Sequence, residues 1–421
     1  MHRYTILTIS LLSVTSCFAC PGHVRRAANG TVTPQSYTVQ TRIKPSVPTS
    51  NVAITNVRIW DGYRVHEPDT IFIEGEFIVK KLRTVDEVID GANGILLPGL
   101  IESHAHPGST KDLETLSSYG VTTVLNQNCQ NYEYCSSMRG QTGLTSFFTA
   151  GLSAKAPGSS HANNSNSPLD TLIWSPSQAP AYVGNVFGNG SDWLKIVSEA
   201  DGPDQATQNA LVREAHSMGK KTNTHASDLE SYIMAIVSGT DRPQHMPLDG
   251  LLNETMLDLM RSQHQYATPT MKVYYDVLHI PGAGASLGHP GITFDEGWAF
   301  VKQNVAAMHA KGIPILAGTD STTPYAGLSV PFGSSLHDEL WYLTEAGLSP
   351  QDALRAATTV PAWAYDLPNR GAIAHGMRAD LLLLQPNADP FKAINDTKKI
   401  SRVWVGGLEY MNLAGNSSAT Q

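Results

Sequence analysis

The chain has 421 residues, with 29 Lys and Arg against 37 Asp and Glu, and a net charge of −8. This length exceeds the roughly 250 to 300 residues at which one hydrophobic core stops growing, so we expect two structural units and exclude a small stapled domain. Hydrophobic residues make up 41% of the chain, which excludes a disordered or collagen-like protein, and the acidic balance argues against nucleic acid as a partner.

Residues 1–19 are typical of a signal peptide. Arg3 precedes an apolar run that is too short to span a membrane, and Cys17 and Ala19 place small residues where a signal peptidase cleaves. We therefore predict a secreted, extracellular protein with cleavage near Ala19 and no membrane partner. A buried N-terminal strand or helix is the alternative. Residues 20–50 are rich in Ser, Thr, Pro and Gly and predict a flexible lead or pro-region.

The predicted secretion bears on the cysteines and on the Asn-X-Ser/Thr sequons, because disulfides and N-glycans form in secreted proteins. In an oxidising compartment Cys129 and Cys135 predict a local disulfide, with two buried thiols as the alternative and Cys20 as the odd cysteine. The sequons predict a glycoprotein. They begin at six asparagines: Asn29, Asn163, Asn189, Asn253, Asn395 and Asn416.

The folded part is predicted to begin near Asn51 as a small all-β unit, with strands over 52–60, 69–73 and 94–97. Strand-like runs then alternate with helical patterns, as in the helix over 206–218 before the strand 222–225, and the helix over 301–308 before the strand 313–320. This alternation, extending over about 260 residues, predicts a parallel (β/α)8 TIM barrel, whose usual length is about 250 residues.

The sequence returns to strand patterns after Leu367, over 371–380, 381–384 and 400–405. An apolar run of four residues such as 381–384 needs both faces covered. The economical arrangement pairs this tail with the N-terminal strands. We therefore predict a composite β-sandwich from residues 51–100 and 365–412, with the barrel (101–364) inserted between its halves and a flexible tail at 413–421.

Histidines and two other polar residues fall where barrel strands should end. His104 and His106 follow an apolar strand two residues apart, so both imidazoles can face one ion at the carboxyl end of the barrel. Further residues fall at the expected ends of strands 4, 5, 6 and 8, for an average of about one strand per 32 residues. They are Lys195, His225, His245 and Asp320.

These motifs make the chain resemble the metal-dependent amidohydrolase superfamily, in the branch of imidazolonepropionase-like proteins, prolidase-like dipeptidases and fungal ochratoxinase-like amidases. The resemblance covers residues 51 to 412 and is carried by six stretches: 97–106, 192–195, 223–226, 316–321, 345–358 and 371–381.

The resemblance implies a binuclear centre. One divalent ion would be held by His104, His106 and Asp320, a second by His225 and His245, and both would be bridged by an N6-carboxylated Lys195. A hydroxide bridging the metals would attack the substrate, with Asp320 as the catalytic proton shuttle. Four imidazoles and two oxygen anions favour zinc.

Alternatives apply to single residues of this set. In isolation His245 could be an ordinary surface residue. Lys195 could be a snorkelling barrel lysine, and the protein would then be a mononuclear deaminase or a cyclic-amide or lactone hydrolase. His161 resembles a substrate-binding catalytic histidine of the dipeptidase relatives, but its polar context equally fits a solvated loop. His337 is expected to be structural.

One departure from the family affects the substrate. Many relatives have His-Ala-Tyr where this chain has Ser227 after His225 and Ala226, so His161, the metals or the tyrosines at 274 and 275 must polarise the scissile carbonyl. We expect an enzyme that cleaves a small-molecule amide, such as an N-acyl amino acid, a dipeptide or an ochratoxin-like amide. A non-catalytic secreted binding protein is a further alternative. The relatives often form homo-oligomers, and the resemblance implies the same here.

Overall fold

The computed structural model describes residues 38–40, 50–282, 289, 291–325 and 328–410. The predicted signal peptide, almost all of the predicted lead and the predicted C-terminal tail lie outside these residues, as do Cys20, Asn29 and Asn416, so those predictions stay predictions. In the part of the chain that is described, no helix has both the length and the apolar character needed to cross a membrane.

The strands of the described residues are numbered in chain order. They are β1 (Val52–Ile59), β2 (Asp69–Glu74), β3 (Phe77–Val79), β4 (Glu87–Asp90), β5 (Ile95–Pro98), β6 (Leu100–His106), β7 (Val121–Asn126), β8 (Ser146–Thr149), β9 (Leu194–Val197), β10 (Thr222–His225), β11 (Arg242–Gln244), β12 (Ser321–Tyr325), β13 (Leu328–Val330), β14 (Leu381–Leu384), β15 (Ile400–Val405) and β16 (Leu408–Glu409).

The α-helices are numbered in the same way. They are α1 (Thr110–Ser118), α2 (Tyr132–Met138), α3 (Ser160–Asn164), α4 (Ala179–Gly188), α5 (Gln205–Ser217), α6 (Leu229–Ser238), α7 (Glu254–Ser262), α8 (Met271–Leu278), α9 (Phe294–Ala310), α10 (Ser334–Glu345), α11 (Pro350–Ala356) and α12 (Thr359–Ala364).

Strands from both ends of the chain form one sheet in the order β16-β15-β14-β5-β1-β2-β3, with β4 paired to β1. The C-terminal β14 lies antiparallel to the N-terminal β5, with Leu382 opposite Leu97. β1 pairs with β2 from Val52 to Val57, with a register shift between Ile54 and Val57, and it pairs with β5 at Arg58 and Ile59. A strand that changes partner at such an irregularity lets two half-sheets face each other.

The half-sheets share one apolar core. Ile54 and Ile73 from the N-terminal strands are buried in the same cluster as Leu381 and Trp404 from the C-terminal strands. The run 381–384 is buried throughout, as a strand covered on both faces requires. This arrangement confirms the predicted sandwich built from both chain ends.

The central segment forms a closed barrel. β6, β7 and β8 are parallel neighbours, as are β9, β10 and β11. Ala154, which follows β8, pairs with Ile196 of β9, and this pairing joins the two groups. Residues 266–268 and 315–317 supply the last two positions of the ring, through the bridges Gln244 to Thr268 and Ala267 to Ile315 and the bond from Ser103 N to Ala317 O.

The helices that follow the strands begin and end at recognisable signals. Asp204 accepts a hydrogen bond from Thr207 N and starts α5, while a capping box of Thr293 and Glu296 starts α9. Gly239, with φ of 76°, ends α6. Helices therefore alternate with strands as the sequence predicted.

Two predicted strands differ from the structure. Residues 371–380 lie in turns, apart from a single bridge at Arg378, because Gly371 and Gly376 adopt positive φ values of 80° and 85°. The strand predicted over 313–320 is reduced to short pairing around Ile315. The backbone at Asp320 is left-handed, with φ of 58°, so regular pairing resumes only at β12.

The predicted disulfide between Cys129 and Cys135 is present and closes a short loop at the start of α2. The sequon asparagines within the described residues, at positions 163, 189, 253 and 395, are all exposed. Exposure is compatible with glycosylation, which stays a prediction.

Candidate metal centre

The first histidine pair lies at the carboxyl end of β6. His104 and His106 are on the same side of the strand, and both are buried. Each places its Nε2 near one carboxylate oxygen, Oδ1 of Asp320, at 3.4 Å for His104 and 3.0 Å for His106. The structure therefore brings together the three residues that the family resemblance implies for the first ion.

Asp320 is held against β6 by its own backbone, because its N–H donates to His104 O at 2.7 Å. Glu102 reinforces this contact. Its buried carboxylate accepts hydrogen bonds from His104 N, from Thr319 N and from the Thr319 hydroxyl, at 3.0, 2.9 and 2.8 Å. Burial raises the pKa of Glu102 to about 8 although these bonds oppose the rise. Glu102 thus joins the first barrel strand to the segment that carries Asp320.

The second histidine pair comes from neighbouring strands. His225 is the last residue of β10 and His245 follows β11, and their ring centroids lie 4.3 Å apart. His245 also approaches His104, at 4.7 Å between centroids. Both residues are buried, so the surface position considered for His245 is excluded. Four imidazoles from three strands therefore meet at one end of the barrel.

Buried polar side chains orient two of these rings. Nδ1 of His104 lies 2.8 Å from Oε1 of Gln244, whose amide nitrogen donates to Arg242 O and to the Thr268 hydroxyl. The amide oxygen of Gln244 must therefore accept a hydrogen bond, which the protonated Nδ1 of His104 donates. Nδ1 of His245 lies 2.8 Å from the hydroxyl of Thr270. In both rings Nε2 is left as the nitrogen able to ligate a metal, as in other histidine metal sites.

Lys195 lies inside the barrel and is completely buried. It pairs in register with Asn223, two residues before His225 on the next strand. A snorkelling lysine keeps its charged end in water, so its burial excludes that alternative. Burial, followed by the charge of Lys195 and of the neighbouring histidines, holds the pKa of His104 well below its usual value. A neutral imidazole is the form that binds a metal.

His161 is part of this cluster and not a solvated loop residue. It lies on the short α3, is 2% exposed, and its ring centroid is 4.5 Å from that of His225. Glu199 accepts from His161 twice, from the backbone N at 3.1 Å and from Nδ1 at 2.6 Å. Burial raises the pKa of Glu199, but the charge of His161 and these bonds outweigh burial and lower it to about 2.

The tyrosines considered as carbonyl-polarising groups are engaged elsewhere. Tyr274 borders the cluster, 6.2 Å from His245 between ring centroids, but its hydroxyl donates to Met246 O at 2.8 Å. Tyr275 stacks on Tyr342, at 4.8 Å between centroids. His161 is thus the better placed of the proposed groups. His337 is structural, as predicted, because its ring nitrogens contact the Thr397 hydroxyl and Tyr119 O, both at 2.9 Å.

Four residues around the centre were not predicted. Glu102 could have been found, since it continues the i, i+2 pattern of the two histidines on β6. Gln244 directly precedes His245, and Glu199 follows Lys195 by four residues, but neither spacing is a recognised signal. Thr270 gave no signal, because its role depends on a left-handed backbone with φ of 49°.

The donor set fits divalent cations. Ligand atoms of His104, His245 and Asp320 all lie within 4.8 Å of one another, and the three residues are buried. The other members of the predicted set surround this group. Imidazoles and a carboxylate in a buried site are the ligands that zinc and similar ions use.

Comparison with known proteins places this geometry in context. Residues 196–409, just over half of the chain, match the model of the amidohydrolase family. An adenine deaminase of Lactobacillus delbrueckii subsp. bulgaricus is 23% identical over 387 residues, which cover 86% of this chain and 59% of that protein.

Two solved structures have a similar fold. A Xaa-Pro dipeptidase with methionine bound in its active site has a TM-score of 0.71 at 21% identity, over 86% of this chain and 100% of that chain. The A. niger ochratoxinase has a TM-score of 0.70 at 16% identity, over 87% of this chain and 96% of that chain. At these identities the likeness establishes the fold.

Proposed function

This chain belongs to the amidohydrolase family, and from that premise we propose that it is a secreted, binuclear metal-dependent hydrolase of amide bonds. The observation that carries the proposal is the meeting of buried imidazoles, a carboxylate and a buried lysine at the carboxyl end of one barrel. His104, His106 and Asp320 would hold one ion. His225 and His245 would hold the other, and a carboxylated Lys195 would bridge them.

The modification of Lys195 has an electrostatic reason. An ammonium group carries three donors and no acceptor, so it cannot ligate a cation and would repel one. Its carbamate is an anion with two oxygen ligands. When bound, two divalent cations would activate a water molecule and polarise the scissile carbonyl. Zinc is the ion that four imidazoles with two oxygen anions favour.

The protein's own residues would transfer the protons and stabilise the carbonyl oxygen. Asp320 would accept the proton of the attacking water and pass it to the leaving amine, since its carboxylate lies at the centre of the histidine cluster. His161, held by Glu199 through Nδ1, would direct Nε2 to the carbonyl oxygen as it gains charge. This replaces the tyrosine that is absent after Ala226.

The proposed substrates are N-acyl amino acids, dipeptides or ochratoxin-like amides. The likeness in fold to a Xaa-Pro dipeptidase and to an ochratoxinase supports this class. Secretion is supported by the predicted signal peptide and by the disulfide, a bond typical of oxidising compartments. Assembly into homo-oligomers is proposed from the family alone.

The test is a screen of metal-loaded protein over these amides, with metal content measured on the same sample. We expect chelator-sensitive release of an amine and a carboxylate, two metal equivalents per chain, and an active-site peptide heavier by one carbon dioxide at Lys195. Asp320→Asn should lower kcat/KM by about 10²- to 10⁴-fold, the range for general acid–base catalysis. Unchanged turnover in Asp320→Asn, or no chelator-sensitive turnover of any amide, would overturn the proposal.

A second candidate follows from the 23% identity with an adenine deaminase. A mononuclear deaminase or cyclic-amide hydrolase would bind one metal equivalent and keep Lys195 unmodified. The same measurements therefore separate it from the binuclear amidase, and ammonia release from aminopurines would favour it.

A further inference from the structure

A cavity of about 270 Å³, apart from the metal centre, lies at the amino ends of β9, β10 and β11. Trp193 directly precedes β9, Lys220 and Lys221 precede β10, and Arg242 begins β11. The metal-centre residues lie at the carboxyl ends of the same strands. The barrel therefore separates this basal cavity from the metal centre, and neither the proposed chemistry nor the family comparison assigns it a role.

The floor of the basal cavity contains a buried guanidinium. Arg242 is 1% exposed, its guanidinium carbon lies 3.8 Å from the ring centroid of Tyr365, and Nη1 donates to Ala364 O at 2.5 Å. Within the described part of the chain, its Nε has no hydrogen-bond partner. A guanidinium has five N–H donors, and stacking on an aromatic ring leaves its edge for a planar anion such as a carboxylate.

The charges around the rim are not equally available. Lys221 is paired with Asp241 at 3.1 Å, and Asp192 is paired with Arg139 at 2.8 Å. Lys220 lies over the ring of Phe187, at 5.3 Å from its centroid. Asp366 is exposed and also lines the cavity. Arg242 also lies near the carboxylate of Asp241, whose pKa its charge helps to lower. With the ion-paired residues set aside, the cavity is lined by the cations Arg242 and Lys220 and by one carboxylate, that of Asp366.

The remaining wall is apolar and aromatic. It is formed by buried or half-buried side chains, namely Leu125, Phe148, Trp193, Tyr365 and Leu367. A cavity of this size is slightly below the range of about 300–1,000 Å³ that holds drug-sized ligands, so its occupant should be smaller.

We propose that the basal cavity binds a free apolar or aromatic α-amino acid. Its carboxylate would bind Arg242 and Lys220, its ammonium group would bind Asp366, and its side chain would lie against the aromatic wall. A simple anion such as phosphate would leave Asp366 facing a like charge and the apolar wall exposed. A zwitterion satisfies both signs of charge and covers that wall.

Isothermal titration of L-phenylalanine into the full chain, without substrate, tests the proposal. We expect one saturable site per chain and up to about five-fold weaker binding of 3-phenylpropionate, which lacks the ammonium group, because an exposed ion pair contributes at most about 1 kcal/mol. Asp366→Asn should bind the two compounds equally. Lys220→Ala should weaken both about five-fold, whereas the matched variant Lys221→Ala should leave binding unchanged, because Lys221 is already paired with Asp241.

The metal centre could bind an amino acid as well, so Asp320→Asn is the second control. Saturable binding that persists in Asp320→Asn and loses its ammonium preference in Asp366→Asn supports the basal cavity. Binding that disappears in Asp320→Asn, or that is the same for both compounds in the unmodified protein, overturns the proposal. The measurement involves no turnover, so its failure would leave the proposed hydrolase function intact.

Discussion

Two acidic residues that follow β9 hold the first two residues of α3, the helix that carries His161. Asp201 accepts from the backbone N and the hydroxyl of Ser160, both at 3.0 Å. Glu199 accepts from the backbone N and Nδ1 of His161. Both carboxylates anchor the start of α3, but only Glu199 touches the imidazole. They therefore offer a way to separate anchoring of the helix from orientation of the ring.

We predict that Glu199→Gln lowers kcat on the best amide substrate by about 10- to 100-fold, the cost found for partners that orient a functional histidine. The loss should fall mainly on kcat, because a hydrogen bond to the carbonyl oxygen strengthens as charge develops there. Steady-state kinetics measure it, with circular dichroism as a check of folding.

Asp201→Asn is the matched control for this prediction. It removes a carboxylate from the same loop without touching His161, so it should change kcat only slightly. If Asp201→Asn and Glu199→Gln lower kcat equally, the carboxylate of Glu199 acts by anchoring the start of α3, and its proposed role as a positioning residue is wrong.

Single residues show why the whole metal centre could not be predicted from the sequence. The six proposed ligands could be predicted because their types and spacing follow the strand ends. The geometry that orients them depends on left-handed backbone at His245, Thr270 and Asp320, with φ of 71°, 49° and 58°. Non-glycine residues adopt this region rarely, and only surrounding tertiary contacts hold them there. No sequence pattern predicts these left-handed positions.

At the scale of elements, His337 joins α10 to two other parts of the barrel surface. Its ring nitrogens contact Tyr119 O, just after α1, and the Thr397 hydroxyl, in the short helix before β15. The carbonyl can only accept, so Nε2 carries the proton. Burial lowers the pKa of His337 from 6.5 to about 4, with the bond to Tyr119 opposing the change. Folding therefore requires this imidazole to be neutral.

This predicts a pH-dependent loss of stability. Between pH 6.5 and 4 the unfolded chain binds a proton at His337 and the folded chain does not, so the free energy of unfolding falls as the pH falls through this window. The contribution is about 3 kcal/mol at most, from a pKa difference of about 2.5 units at 1.36 kcal/mol each. Urea unfolding of the wild type and of His337→Gln from pH 7 to pH 4 measures it.

His337→Gln carries no titrating ring, so its unfolding free energy should depend less steeply on pH than that of the wild type. His309→Gln is the control, because His309 is a partly exposed histidine of α9. Parallel pH profiles for the wild type and His337→Gln would contradict the prediction, because they would show that the buried imidazole does not cause the fall in the free energy of unfolding.

Elements with strong local signals were predicted and short ones were not. α5 and α9 have side-chain caps and apolar spacing that the sequence displays. Residues 266–268 complete the barrel with only a few backbone bonds, and no apolar run marks them. Residues 371–380 have a strand-like composition, but two glycines turn the chain there. In these short segments tertiary contacts decide the pairing, and local sequence does not.

At the scale of the whole molecule, the proposed ligands come from five different barrel strands. His104 and His106 end β6, Lys195 lies in β9 and His225 ends β10. His245 and Asp320 follow the sixth and eighth positions of the ring. An ion held by such a set binds only the closed barrel, because the unfolded chain does not bring these residues together. Metal binding and barrel closure should therefore be thermodynamically linked.

We predict that chelation lowers the melting temperature of the wild type by several degrees. A ligand at 100 times its dissociation constant stabilises the folded state by about 2.7 kcal/mol, and each kcal/mol corresponds to roughly 2–4 °C for domains somewhat smaller than this one. The transition should rise again when zinc is restored. Scanning calorimetry with and without chelator measures the shift, and hydrogen exchange should show reduced protection at the carboxyl ends of β6 and β10 in the chelated protein.

His104→Ala distinguishes this linkage from a general effect of the chelator. It removes a proposed ligand that also contacts Gln244 and Asp320, so its melting temperature should be lower and should respond much less to chelation. Asp366→Asn, in the basal cavity, should respond as the wild type does. The same melting temperature for chelated and zinc-loaded wild type would contradict the linkage, because ions bound by residues from five strands cannot leave the closed barrel without reducing its stability.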